Sequence, residues 1–134
     1  MQSKIEKKAQ SAIEFVILIG VVIFFIMVFF LVINEKIADK EKEKRDILVE
    51  DIATNVQDEI NLALKSSDGY MRQFKIPNDI YGQDYKINIT DGMVYVRSSD
   101  YKHAIALPVP MVIGDVKIGD NIIKRENGMI YLNK

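Results

Sequence analysis

Residues 15–33 form an unbroken run of nineteen uncharged, mostly apolar residues, and this apolar run constrains the fold more than any other feature. About 20 such residues are enough for an α-helix to cross the hydrocarbon core of a bilayer. An ordinary secretory signal has a shorter apolar region, of about 7–15 residues, and a small-residue cleavage site after it. No such site follows this run, so we predict a retained transmembrane helix.

The segment just before the apolar run is short and charged, and it ends in Glu14. A carboxylate at the edge of an apolar helix is costly in lipid and usually has a function. The alternative is that Glu14 lies at headgroup level and reaches water. Lys4, Lys7 and Lys8 precede the run, but five basic residues follow it by position 45, so the positive-inside rule leaves the orientation open.

Composition excludes several function classes. The chain has 134 residues, a net charge of −1 and no cysteine, which rules out disulfides, thiolate metal sites and cysteine nucleophiles. The near-neutral charge gives no reason to expect nucleic acid as a partner. The sequence has no EF-hand spacing, phosphate-binding loop or nucleophile motif, so we predict no enzyme, no metal and no cofactor. His103, the only histidine, is expected to be a packed or edge residue of a strand.

Helical signals continue beyond the apolar run. Residues 35–46 are almost all charged, which is typical of a solvated helix. An amphipathic helix should follow, because apolar residues recur at every fourth position. These residues are Leu48, Ile52, Val56, Ile60 and Leu64. Residues 66–69 end the pattern with Gly69 as the cap. A single helix over residues 11–65 would be roughly 80 Å long at 1.5 Å per residue.

Beyond Gly69 the apolar pattern changes to the period of two that indicates strands. Asp91-Gly92 and Asn127-Gly128 predict tight hairpins. The residues predicted to share one face of a later strand are Tyr101, His103, Ile105 and Leu107. We expect five to seven short strands in an antiparallel meander.

The predicted fold class is α+β. A long N-terminal hydrophobic helix should pack, at its C-terminal half, against a small antiparallel sheet, because one face of that sheet needs cover. The predicted organisation is a leader at residues 1–9, a hydrophobic helix at 10–33, a charged and then amphipathic extension at 34–67, and a β-head at 68–134.

Residues 7–15, with the sequence KKAQSAIEF, resemble the class III signal peptide of type IV pilin-like proteins in its archaeal version. In that family a short basic leader ends in a small residue before the cut. The retained chain often starts with Gln, has Glu four residues later and continues as a hydrophobic helix. These positions correspond to Ala9, Gln10 and Glu14, although many relatives have Gly where this chain has Ala9. The resemblance covers about the first 33 residues, and the β-head adds only a fold-level analogy.

The resemblance implies how this segment works. A membrane-embedded prepilin-type peptidase would cut between Ala9 and Gln10, with Lys7 and Lys8 in a cytoplasmic leader and the head outside. Glu14 would pair with the new α-amino group of Gln10 in a neighbouring copy and so set the axial stagger. The implied partners are membrane lipid, the peptidase, a pilus assembly platform and copies of the chain itself.

The expected function is therefore a structural subunit of an archaeal surface filament of the type IV pilus kind. The alternative is a minor pilin or a single-pass, membrane-anchored extracellular protein that binds or senses a ligand. Bulky side chains on all sides of the apolar run suit an ordinary membrane anchor as well as a filament core. Asn88-Ile89-Thr90 is a candidate N-glycosylation sequon on the side expected to face outward, although Asn and Thr also suit an exposed strand.

Overall fold

The computed structural model has one long helix, α1 (Gln2–Lys65), followed by seven strands. It describes the backbone of the whole chain and the side chains of Met1 and residues 7–134. No proline interrupts α1, and the helix begins before the predicted residue 11. It ends as predicted: the Ser66 amide bonds to the carbonyls of Leu62 and Ala63, and Gly69 takes a positive φ of 92°. Internal contacts divide the chain into an N-terminal unit, Met1–Glu41, and a C-terminal unit, Lys42–Lys134.

The strands form two sheets. They are β1 (Met71–Ile76), β2 (Tyr85–Thr90), β3 (Met93–Ser98), β4 (Ala104–Pro108), β5 (Val112–Gly114), β6 (Gly119–Glu126) and β7 (Met129–Leu132). One sheet has four strands in the order β1-β6-β7-β5, and the other has three in the order β2-β3-β4. The α+β class is confirmed.

The single antiparallel meander was wrong in two respects. The strands divide between two sheets, and β5 pairs with β7 in parallel. The chain leaves the three-stranded sheet after Val109, whose amide bonds to the Gly92 carbonyl, and the next residue, Pro110, has no N–H donor to continue the ladder. The β1–β6 and β5–β7 pairs join strands that are not neighbours in sequence, so no turn motif predicts these pairings.

Both predicted hairpins are confirmed. Asp91 and Gly92 join β2 to β3 with φ values of 54° and 70°, and Asn127 and Gly128 join β6 to β7 with 53° and 75°. Two consecutive residues with positive φ form the two-residue turn that matches the right-handed twist of the flanking strands.

The strand expected from Tyr101 onward begins only at Ala104. Tyr101 lies in the preceding turn with a positive φ of 62° and is 70% exposed, so its predicted place on a strand face with His103 is wrong. The Asp100 carboxylate organises this turn, because it accepts hydrogen bonds from the Ser98 hydroxyl at 2.5 Å and the Lys102 amide at 3.1 Å. His103 is buried, as expected, and its Nδ1 contacts the carboxylate of Asp46 on α1.

One hydrophobic core fills the C-terminal unit, and α1 supplies one side of it. The buried helical residues are Val49, Ile52, Ala53, Val56, Ile60 and Ala63. Leu64 was expected on this face but is 44% exposed. A helix with 3.6 residues per turn advances by about 40° beyond a full circle every four residues, so a five-member run at that spacing spreads over about 160°. Its centre is therefore buried while its last member reaches the surface.

Two local features fix the geometry of the four-stranded sheet: a close backbone approach at Gly114 and a buried amide at Asn121. Gly114 has a positive φ of 110°, and a Cβ there would lie 2.0 Å from the Leu132 carbonyl oxygen, so only glycine fits. Asn121 is fully buried, and its amide bonds the Lys117 backbone at 2.9 and 2.7 Å and the Asn133 side chain at 2.8 Å. Buried polar groups with this many partners hold a single arrangement.

Candidate functional site

The apolar run is uncovered on every side in the N-terminal unit. All large apolar side chains of residues 15–32 are exposed, from 40% at Val28 to 69% at Leu31. By length and composition, this helix is apolar enough to cross a membrane, and none of its most apolar window is buried within the chain. A helix that is hydrophobic all round normally requires an apolar environment on all sides. That environment must come from outside the chain.

The start of the apolar run carries one polar contact. Gln10 Nε2 donates a hydrogen bond to Glu14 Oε1 at 3.1 Å, one helical turn away, and both side chains are exposed. Within Met1 and residues 7–134, no basic nitrogen lies within 4.0 Å of the Glu14 carboxylate. The structure therefore brings together the two residues predicted to act in assembly, and it leaves Glu14 open to a cation from another molecule.

The predicted processing residues Lys7, Lys8, Ala9 and Gln10 all lie in α1 and are exposed. The side chains of residues 2–6, which include Lys4 and Glu6 of the predicted leader, lie outside the described residues. The Ala9–Gln10 peptide bond is thus flanked by exposed side chains, and cleavage there stays a prediction.

The candidate sequon lies on β2 with Asn88 and Thr90 exposed. The Asn88 amide donates a hydrogen bond to Thr90 Oγ1 at 3.0 Å. Because alternate residues of a strand point to the same side, both side chains lie on the solvent face of the three-stranded sheet. Glycosylation of Asn88 stays a prediction.

The same solvent face of the three-stranded sheet, which we call the outer face, forms a hollow of about 590 Å³. Lys86 on β2 lies directly opposite Arg97 on β3, and Asn88 lies opposite Tyr95. The corresponding residues on β4 are Ala104 and Ala106, whose small side chains leave the hollow open. An adjoining hollow of about 260 Å³ also involves Lys86 and Arg97.

The Lys86–Arg97 pair was not predicted, although the sequence carries a signal for it. A two-residue turn fixes the hairpin register. Lys86 and Arg97 are equally distant from the Asp91-Gly92 turn, so they had to be cross-strand partners.

Met1 and residues 7–134 contain no group of three or more His, Asp and Glu side chains placed to hold a metal ion. In comparisons with family models, with curated proteins and with solved structures, no match to this chain was found.

Proposed function

We propose that this chain is the structural subunit of a type IV pilus-like archaeal surface filament. A prepilin-type peptidase removes residues 1–9, and the helix stays in the membrane. An assembly platform then packs this helix against those of other copies of the chain. The head, residues 68–134, faces outward. The observation that carries this proposal is the apolar run exposed on all sides and preceded by Gln10 and Glu14.

The chemistry of the apolar run supports both stages of this life cycle. Contiguous exposed apolar surface of this extent marks a membrane or a protein interface. Lipid covers such a helix in the precursor, and neighbouring helices cover it in a filament. The C-terminal unit has its own buried core, so the helix can exchange one environment for the other while the strands keep their packing.

Glu14 has a defined part in this exchange. A carboxylate in lipid is costly unless it is paired, so Glu14 favours the position at which it meets the α-amino group of a neighbouring subunit. The Gln10–Glu14 hydrogen bond already holds the carboxylate beside the residue that becomes the new N-terminus. A pair formed between copies would fix the stagger from one subunit to the next.

The second candidate is a minor pilin or a single-pass membrane protein whose head binds a ligand at the cell surface. The hollow on the outer face of the three-stranded sheet favours it, because ligand sites are concave and combine apolar surface with a few polar groups. In this case the same helix is a permanent anchor.

The test compares Glu14→Ala with Glu35→Ala, which removes an exposed acid of the same helix outside the apolar run. Each variant is expressed in cells that carry the processing peptidase, and leader removal, membrane insertion and recovery in sheared surface filaments are measured. We expect Glu14→Ala to be processed and inserted but absent from filaments, and Glu35→Ala to behave as the wild type. Normal filaments from Glu14→Ala would remove the role given to Glu14. A wild-type chain found only in membranes would favour the second candidate.

A further inference from the structure

We propose that the outer face of the three-stranded sheet is a binding site for an anionic saccharide, a sugar chain that carries carboxylate or sulfate groups. This site belongs to the C-terminal unit alone, and the inference is independent of filament assembly.

Two cations on the outer face have no ion-pair partner among the described residues. Lys86 and Arg97 are exposed and directly opposite each other on β2 and β3. Like charges in this arrangement destabilise a sheet, so the pair is a cost to folding. Within Met1 and residues 7–134, neither makes an ion pair within 4.0 Å. An anionic ligand bound at this face would neutralise both charges and remove this cost.

The carboxylate of Asp100, in the turn after β3, makes no ion pair with Lys86 or Arg97 within 4.0 Å. It accepts hydrogen bonds from the Ser98 hydroxyl and the Lys102 amide within its own turn. The turn instead presents Tyr101, whose ring lies 4.2 Å from the Arg97 guanidinium carbon. Stacking on an aromatic face orients the guanidinium and leaves the donors at its edge free for two parallel hydrogen bonds to a carboxylate or sulfate.

The rest of the hollow is lined by groups that suit a sugar. Asn88, in the chain without a glycan at this residue, and Thr90 supply amide and hydroxyl groups of the kind that bond sugar hydroxyls, and Tyr95 is 38% exposed beside them. Ala104 and Ala106 leave the space over β4 that a sugar ring would fill. The volume of about 590 Å³ lies within the range of small-ligand sites, roughly 300–1,000 Å³. Cations, hydrogen-bonding groups and an aromatic surface together match the acid groups, hydroxyls and apolar ring face of an acidic sugar.

Other anionic partners fit less well. An extended acidic peptide usually adds to the edge of a sheet through backbone hydrogen bonds, whereas this hollow lies on the face of the sheet. Nucleic acids are bound by extended basic surfaces, whereas here two cations stand on a chain with a net charge of −1.

The test measures binding to the full chain in detergent micelles by titration calorimetry. The probes are short oligosaccharides of galacturonate, hyaluronate and chondroitin sulfate, together with methyl-esterified oligogalacturonate and a hexa-aspartate peptide. The variants are Lys86→Gln and Arg97→Gln. Lys75→Gln is the matched control, because Lys75 is an exposed lysine on β1 of the other sheet.

We expect at least one acidic oligosaccharide to bind and each outer-face variant to weaken it at least tenfold, with no change in Lys75→Gln. The methyl ester should not bind, and Lys86→Gln should leave the melting temperature unchanged or raise it, because it removes a like-charge contact. The proposal is overturned if no acidic oligosaccharide binds, if the ester binds equally well or if the variants bind as the wild type. Equal binding of hexa-aspartate would assign the site to acidic peptides instead, and a lower melting temperature in Lys86→Gln would assign the cations to folding.

Discussion

The N-terminal and C-terminal units bury their apolar residues in opposite ways, although α1 contributes to both. In the C-terminal unit, Val56, Ile60 and Ala63 are fully buried. In the N-terminal unit, the most apolar helical segment of the chain has no buried residue. The same helix thus contributes to a buried core in one unit and leaves its apolar side chains exposed in the other.

The difference shows which interactions this chain completes by itself. The C-terminal unit has a hydrophobic core made entirely of its own residues, including those of α1 from Val49 to Ala63. None of the most apolar window of the apolar run is buried within the chain. In the proposed function, lipid and then other copies cover it.

The largest effect should come from separating the two units. We expect residues 42–134 to fold alone and to stay soluble and monomeric without detergent, because every residue of the core cluster lies between Val49 and Leu132. The full chain should require detergent or lipid. Sedimentation and thermal melting of both proteins check this. An unfolded or aggregating 42–134 fragment would mean that the C-terminal unit needs the N-terminal unit to fold.

One isoleucine in each unit tests whether burial in the core, and not the helix itself, determines stability. Ile60 is fully buried and Ile23 is 47% exposed. Ile60→Ala should lower the free energy of unfolding by about 2–5 kcal/mol, the usual cost of a large-to-small change in a core. Ile23→Ala should leave the unfolding of the C-terminal unit unchanged. Denaturant unfolding in micelles measures the free energy of unfolding of both variants. An equal loss of free energy in the two would mean that the apolar run contributes to the core.

A smaller loss should follow from closing the space at Gly114. Gly114→Ala places a Cβ against the Leu132 carbonyl oxygen in a backbone conformation unfavourable to side chains, at a cost of about 3 kcal/mol. Gly82→Ala is the matched control, because Gly82 also has a positive φ, of 76°, but has no atom within 4 Å of the added Cβ. We expect Gly82→Ala to lose about 1 kcal/mol, the cost of a Cβ in the left-handed region. Similar losses in thermal melts of the two variants would contradict the close approach of β5 to β7.

The smallest effect concerns pH. Burial raises the pKa of Tyr85 to about 12, and the Asp79 carboxylate adds to the rise. Since the folded state favours the neutral phenol, which donates to the Pro77 carbonyl, its contribution is complete below pH 10 and is lost as the pH rises through about 12. Tyr85→Phe should cost about 1 kcal/mol at neutral pH, and the difference should shrink in that alkaline range. Absorbance titration should show one tyrosine that ionises near pH 12 and is missing from the variant.

Local sequence signals predicted much of this fold. The two hairpin turns, the end of α1 and the position of most strands follow from residues close together in the chain. The β1–β6 pairing, the parallel β5–β7 pairing and the division into two sheets depend on contacts between distant segments, and turn residues do not encode those. Tyr101 was misplaced because its alternation with His103 resembles a strand, whereas Asp100 forms a turn there.

The candidate sites divide in the same way. Lys7 to Glu14 were predicted from their order in the sequence, and the structure adds the Gln10–Glu14 hydrogen bond. The Lys86–Arg97 pair becomes evident only when the hairpin register is applied. The hollow beside it also depends on the pairing of β4 with β3, which places Ala104 and Ala106 next to the hairpin.

We propose that the apolar run leaves the membrane and enters a filament after the leader is removed. Mass spectrometry of the chain in sheared surface filaments, and of the chain left in membranes, tests this most directly. We predict filament chains that begin at Gln10 with a free α-amino group, the group with which Glu14 pairs, and membranes of peptidase-deficient cells that keep the chain beginning at Met1. Chains that keep residues 1–9 in cells with active peptidase, together with filaments that lack the chain, would contradict the claim.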